Sequence, residues 1–319
     1  MSLKKWHQRR HKFAYYARHA LADLWPRALW RPRIERAWQR FAALPPAVQA
    51  QIQAHVALAN RLNAPFVLPD TAAQTGHFRD KHPSAYYYDL APLLRYFPAH
   101  YRFLYLFGDV THVPEAPTFV KSRPIADNNA NSVLLKLDSV RHFYLPPDAI
   151  PFTQKKAQLV WRGAAHQAHR LEFLRQYHDH PRCDVGCVHR KSEDTPWHRS
   201  YLSVAEQLRY RYILSLEGND VATNLKWILA SQSLCLMRRP RYETWLMESR
   251  LQAGVHYVQL ADDYHDLEEK LDDCERHPEK VQHIIANANA YMRPFRDPAL
   301  ETLRQLLVMQ RYFALSGQA

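Results

Sequence analysis

At 319 residues the chain is long enough for one large or two medium domains, and its formal charge of +12 calls for an anionic partner. No apolar run approaches the roughly 20 residues of a membrane-spanning helix, and the opening Met1-Ser-Leu-Lys-Lys-Trp-His lacks the apolar core of a secretory signal, so a cytoplasmic chain is expected. Four cysteines (Cys183, Cys187, Cys235, Cys274) in such a length do not make a disulfide framework, and free thiols are expected.

The first 40 residues hold eleven Lys and Arg (Lys4, Lys5, Arg9, Arg10, Lys12, Arg18, Arg27, Arg31, Arg33, Arg36, Arg40) against only Asp23 and Glu35, an excess of nine out of the total of +12. Trp6, Phe13, Tyr15, Tyr16, Leu21, Leu24, Trp25, Leu29 and Trp30 are interleaved with them. Cationic heads beside aromatic bodies suit an anionic bilayer interface, and we expect residues 1–40 to form a helical arm in peripheral contact with one. A solvated helix and a nucleic-acid contact are the other readings, and the second is not favoured.

Pro45 to Leu62 reads as a helix, Ala64 to Pro69 as a linker with a short strand, and Tyr88 to Phe97 as a short helix. Tyr101 to Phe107 predicts a strand that ends at Gly108-Asp109, and a carboxylate just beyond a strand end lies where open α/β sheets place their chemistry. A turn aspartate is the plainer reading of the same spacing. Lys121-Ser-Arg123 sits in a loop from Pro114 to Pro124, Ser132 to Leu137 reads as a half-buried strand or helix, and the Pro-rich Leu145-Pro-Pro147 marks a domain boundary.

The second half is clearer. Gln158 to Trp161 is a strand, followed by Arg162-Gly163 and a helix from His166 to Tyr177. Gly163 lets the backbone approach a ligand, and Arg162 and Arg170 flank the turn with permanent charges. Tyr212 to Leu216 reads as a buried parallel strand, Gly218 to Asp220 as a turn, Val221 to Leu229 as a helix and Leu234 to Met237 as the next strand. This is one βαβ unit. Its helix start would attract an anion, with Lys226 adding charge. Tyr242 to Met247 predicts a helix, Gly254 to Leu260 a strand containing His256, and Asp266 to Cys274, Val281 to Met292 and Pro298 to Ser316 three helices. Strands alternating with helices define an α/β class.

The ordered set Trp161-Arg162-Gly163 with Arg170, Tyr212 to Gly218, Val221 to Lys226 with Leu229-Ala-Ser-Gln-Ser-Leu234, and His256-Tyr257-Val258 resembles the family 90 glycosyltransferases, over roughly residues 100 to 292. The resemblance implies a GT-B fold, two Rossmann-like domains facing a cleft. On that reading residues 41–147 form an acceptor-side domain, 148–295 a nucleotide-sugar-binding domain, and 296–319 a helix returning to the first. It further implies an inverting transfer from a UDP-sugar, with Asp109 by position as catalytic base. Arg162, Gly163, Arg170, Gly218, Asn219, Asp220, Val221, Ala222, Thr223 and Lys226 would hold the nucleotide sugar. His112, Lys121, Arg123, His166, Glu217 and His256 are candidates to line the cleft. Three positions depart from the animal members: Ala164 replaces a small hydroxyl residue, Lys226 replaces an Arg, and Asp109-Val-Thr-His replaces Asp-aromatic-Pro.

The expected function is transfer of a hexose, glucose or galactose, to a lipopolysaccharide core or other cell-surface glycan, with an anionic glycolipid as the acceptor partner on the inner face of the membrane. A capsule or protein acceptor, or an inactive basic protein binding glycan or nucleic acid, are the alternatives. No metal or other cofactor is expected. Asp262-Asp263 is adjacent rather than spaced, and His178, His180, Cys183, Cys187 and His189 match no standard zinc spacing.

Overall fold

The structure is a computed structural model that describes residues 3–23 and 25–319. Leu24, and the side chains of Lys4, Lys5, Trp6, Asp23 and Arg31 counted in the basic arm, lie outside the described residues. In chain order the elements begin with α1 (Leu3–Asp23), α2 (Arg31–Ala42), α3 (Pro46–Ala59), β1 (Ala73–Gln74) and α4 (Ser84–Leu94). Then come β2 (Arg102–Phe103), β3 (Tyr105–Leu106), β4 (Thr118–Val120), β5 (Ser122–Pro124), β6 (Ser132–Leu134) and α5 (Ser139–His142). The second half adds β7 (Lys156–Gly163), α6 (Ala168–Tyr177), β8 (Cys183–Cys187), α7 (Val204–Gln207), β9 (Tyr210–Leu214), α8 (Leu225–Leu229), β10 (Leu234–Met237) and β11 (Tyr242–Thr244). It closes with β12 (Val258–Gln259), α9 (Leu267–Arg276), α10 (Pro278–Met292) and α11 (Pro298–Leu315). Two compact units result. One is built from His142–Pro240 and Arg250–Pro294, the other from Arg9–Arg141, Arg241–Ser249 and Phe295–Ala319.

The first unit carries a five-stranded parallel sheet in the order β12-β10-β9-β7-β8. Of its strands β10 and most of β9 are continuously apolar, as strands covered on both faces must be. Leu159, Trp161, Val185, Tyr212, Leu214, Leu234 and Leu236 pack with Phe173 and Leu174 of α6, Leu267 and Leu271 of α9 and Ile284 and Ile285 of α10. All four cysteines are free and buried.

The second unit has three small sheets: β3-β4-β6, parallel; β1-β2, antiparallel; and β5-β11, antiparallel. Helix α11 closes its core. Asn60, just past α3, donates to the Val308 carbonyl at 3.1 Å, and the Tyr312 hydroxyl donates to the Pro117 carbonyl at 2.8 Å.

Several elements differ from the sequence reading, each for a tertiary reason. The stretch from Tyr101 to Phe107 is two strands, not one. It pairs first with β1 and then with β4, and at the change of partner the Leu104 N–H is taken by the Tyr312 hydroxyl. The segment read as a helix from Tyr242 is β11, held by a buried ion pair between Glu243 and Arg123 of β5 at 2.7 Å. Only Val258–Gln259 of the next apolar run is strand, because Gly254 at φ +74° opens a turn closed by the Gly254 N–H on the Tyr257 carbonyl. The helix expected from Val221 starts at Leu225; Val221 and Ala222 are buried from an irregular segment.

Candidate functional site

Within the five-stranded sheet the chain runs from β7 outward to β8 on one side, and from β9 outward to β10 and β12 on the other. The order therefore reverses between β7 and β9. At such a point the connections leave in opposite directions, and a crevice opens outside the carboxyl ends of the two strands. The loops there are Ala164–Gln167, after β7, and Ser215–Asn224, after β9.

Arg170, in the first turn of α6, staples these loops. Its Nε donates to the Glu217 carbonyl at 2.8 Å, Nη2 to the Leu216 carbonyl at 2.8 Å and Nη1 to the Ala164 carbonyl at 2.7 Å. His169 Nε2 donates to the same Glu217 carbonyl at 2.8 Å, and Gln167 Nε2 donates to Asn219 Oδ1 at 2.9 Å. Burial pulls the Arg170 guanidinium down to about 10, still fully cationic near neutrality. A Cβ at Gly218 would lie 3.5 Å from Arg170 Nη2, so this cation stands directly beside the turn.

Arg162 is engaged elsewhere. Side chains alternate along a strand, so Arg162 points to the face opposite Trp161 and Gly163. There its Nη2 pairs with Asp184 Oδ1 at 2.5 Å and its Nε donates to the Ser200 carbonyl at 3.0 Å. Burial pushes the Asp184 carboxyl up, but hydrogen bonds from Tyr210 and Arg162 outweigh it and hold the group below the usual range. Arg162 and Arg170 thus share no acceptor among the described hydrogen bonds.

Gly163 has a packing reason of its own. A Cβ there would lie 2.5 Å from the Trp161 ring. Lys226 is wholly buried in the five-residue α8, and Asp220, Val221 and Ala222 are buried beside it, while Asn219 is exposed and Gly218 and Thr223 are half-buried. His166 is exposed, its ring 4.5 Å from that of His189. His256 lies in the Gly254 turn rather than in a strand; its Nδ1 accepts the Gln252 N–H at 3.0 Å, and burial lowers its affinity for a second proton.

The other unit holds the remaining candidates. Gly108 adopts φ +107° at the end of the β3 segment, and Asp109 follows with a side chain 37 % exposed. Lys121, directly after β4 and only 3 % exposed, reaches Asp109 Oδ1 with Nζ at 2.6 Å. Arg123 turns inward, donating to Glu243, the Ser132 carbonyl and the Leu58 carbonyl, so its charge ties β5 to β11. His112 is exposed.

Sequence reading missed Tyr86 and Asp89, three residues apart on α4 and hence on one face. Burial raises both, Tyr86 to about 12 and Asp89 to about 7, and Tyr86 also feels Lys121, Asp138 and Asp109. Asp89 accepts from Tyr15 of α1 at 2.7 Å and from the Ser139 N–H and hydroxyl, each at 2.7 Å. Among the described residues no group of three or more His, Cys, Asp or Glu side chains converges to hold a metal ion; Cys187 accepts from the Ala165 N–H and His180 contacts Glu268.

A sequence profile described as Glycosyl transferase family 90 matches residues 141–297. The chain is also similar to O-glucosyltransferase LpsA of Dichelobacter nodosus, with 57 % identity over 312 residues that cover 98 % of each chain.

Proposed function

From the premise that this chain belongs to glycosyltransferase family 90, we propose that it transfers glucose from UDP-glucose, with inversion at the anomeric carbon, to a hydroxyl of a lipopolysaccharide core. The observation that carries the reading is the 57 % identity to an O-glucosyltransferase across 98 % of both chains. The fold supports the donor half, because a parallel sheet whose strand order reverses between β7 and β9 offers a binding crevice at the turn where Arg170 gathers three carbonyls. The proposal includes a GT-B arrangement of two Rossmann-like domains, with residues 41–147 on the acceptor side, 148–295 on the donor side and 296–319 returning to the former.

In the proposed reaction the acceptor oxygen bonds to the anomeric carbon while the bond from that carbon to the β-phosphate oxygen breaks. The bonding pair leaves with UDP, and the hydroxyl proton passes to Asp109. Attack from the face opposite the leaving group inverts the centre. The proposal assigns the growing diphosphate charge to Arg170 and to N–H groups of the Gly218 to Thr223 turn rather than to a metal ion. His166 and Glu217, one on each of the two loops, are assigned to the sugar.

The basic arm completes the reading. No helix of the described residues is long and apolar enough to cross a membrane. We assign the arm to peripheral contact with an anionic inner leaflet, which would bring the enzyme to a bilayer-anchored acceptor.

The test is a thermal-shift series with UDP, UDP-glucose, UDP-galactose, UDP-xylose, GDP and CMP, with and without EDTA, followed by radiolabelled transfer to lipopolysaccharide. Uridine nucleotides are expected to stabilise the chain in both conditions, UDP-glucose to support transfer, and Asp109→Asn to keep UDP binding while turnover falls by about 10²–10⁴-fold. No stabilisation by any uridine nucleotide removes the donor reading. Near-normal turnover in Asp109→Asn removes the base.

A further inference from the structure

The Lys121 side chain is only 3 % exposed, yet its ammonium makes a 2.6 Å contact with a carboxylate that is open to solvent, Asp109 at 37 % exposure. An ammonium so enclosed is costly unless charges answer it. A structural partner is at hand in Asp138, 1 % exposed and held at φ +55°, but the 2.8 Å ion pair of that carboxylate is with Arg141. Burial pushes the Asp138 carboxyl up, Arg141 and Lys121 pull it back, and Asp109 adds to the rise. Tyr86, on α4, feels the Lys121 charge, and Asp89 of the same helix face feels that of Asp138. The ammonium therefore stands among two carboxylates and a phenol contributed by separate segments, and it contacts the solvent-open carboxylate of Asp109 at 2.6 Å.

We infer that Lys121 is the positioning residue for Asp109, fixing the carboxylate through Oδ1 and keeping it ionised until a hydroxyl proton arrives; the inference rests on the base assignment made above. Two physical effects combine. Gly108 turns the backbone at an angle that a side chain with a Cβ rarely adopts, so the chain direction at Asp109 is set by the main chain and the carboxylate direction by Lys121. A cation in direct contact favours the charged form of a carboxylate, which is the form that can accept a hydroxyl proton. Lys121 touches neither reacting atom. It acts through Asp109.

The experiment is the pH profile of kcat/KM for the full chain and its Lys121→Met and Lys121→Arg variants, with UDP binding followed by thermal shift as a readout independent of the base. Removing the charge is expected to move the acid limb of Lys121→Met upward by about one pH unit or more and to lower kcat, with UDP binding retained. Lys121→Arg keeps the charge but replaces a compact ammonium by a flat fork, so its limb should stay where the natural protein has it while kcat falls about tenfold. An unmoved limb in Lys121→Met overturns the inference. Should that variant not fold, Lys121→Arg decides alone: a shifted limb, or an undiminished kcat, overturns it. If Asp109→Asn turns over normally the base assignment falls and takes this inference with it, whereas an inactive Asp109→Asn with an unmoved Lys121→Met limb overturns the positioning role only.

Discussion

Arg170 Nε donates to the Glu217 carbonyl at 2.8 Å, so a side chain on α6 holds the backbone of the loop that follows β9. With the bonds to Leu216 and Ala164, one guanidinium joins both loops at the point where the strand order reverses. Lysine has no planar fork and cannot reach three acceptors in these directions. Arg170→Lys should therefore lose about 2–3 kcal/mol of stability and weaken UDP binding by at least about tenfold. Urea unfolding and nucleotide titration measure the two separately. Unchanged stability would show that the three carbonyl contacts are dispensable, and unchanged UDP affinity would remove this turn from the donor site.

Gly163→Ala tests the crowding against Trp161. The added Cβ would stand 2.5 Å from a ring that is itself 2 % exposed, so the indole or strand β7 must shift. Overpacking of this kind costs about 1–3 kcal/mol. A second substitution, Trp161→Leu, removes the obstruction. In a double-mutant cycle Gly163→Ala should cost less on the Trp161→Leu background than alone. Equal cost on both backgrounds would mean that the glycine is needed for something other than the tryptophan.

Much of the first unit was legible because its signals are local. The apolar runs of β7, β9 and β10 and the helices α6, α9 and α10 fall within a few residues of where the sequence predicts them, as α11 does in the second unit. What escaped depended on distant partners. Nothing near Tyr242 announces that Glu243 pairs with Arg123, 120 positions earlier, so helix propensity was read where a strand forms. Arg162 and Arg170 were both legible as charges near a turn, but strand alternation sends Arg162 toward Asp184 on the other face. Asp109 was legible from its place at a strand end. Its neighbours Lys121, Tyr86 and Asp138 come from three other segments, and only the fold gathers them.

Asp89 predicts a pH dependence of stability. Burial raises its carboxyl to about 7 in the fold against 3.8 in its ordinary state, and hydrogen bonds from Ser139 and Tyr15 offset only part of this, with Asp138 adding to the rise. The folded chain thus holds a proton that the unfolded chain has released between those values. By linkage the contribution is full below about pH 4 and is lost as pH rises through 7. Its size is on the order of a few kcal/mol. Urea unfolding from pH 4 to 8 should show the natural protein losing stability toward high pH relative to Asp89→Asn, which carries no such proton. Parallel curves for the two proteins would contradict a raised Asp89 carboxyl at this site.

The arm offers the last prediction. Tyr15 ties α1 to α4 through its bonds to Asp89 and the Ala85 carbonyl, while Phe13, Leu21, Trp25 and Leu29 remain 77, 63, 49 and 54 % exposed. These four are half of the large exposed hydrophobic side chains among the described residues, and Lys12 and Arg18 are exposed near them. Inserting such side chains into a bilayer interface is worth about 1–3 kcal/mol each, and each nearby cation adds about 1 kcal/mol on an anionic leaflet. Serine at Phe13, Leu21 and Trp25 together leaves the arm's charge intact but removes most of the apolar term. The full-length triple variant should float with vesicles containing anionic phosphatidylglycerol at least about tenfold less than the natural protein. With neutral phosphatidylcholine vesicles both should bind weakly, because the charge term is absent. Equal flotation of the two proteins on anionic vesicles would mean that charge alone carries the contact, and no flotation of either would remove the membrane from the proposal and leave the basic arm to the glycan acceptor.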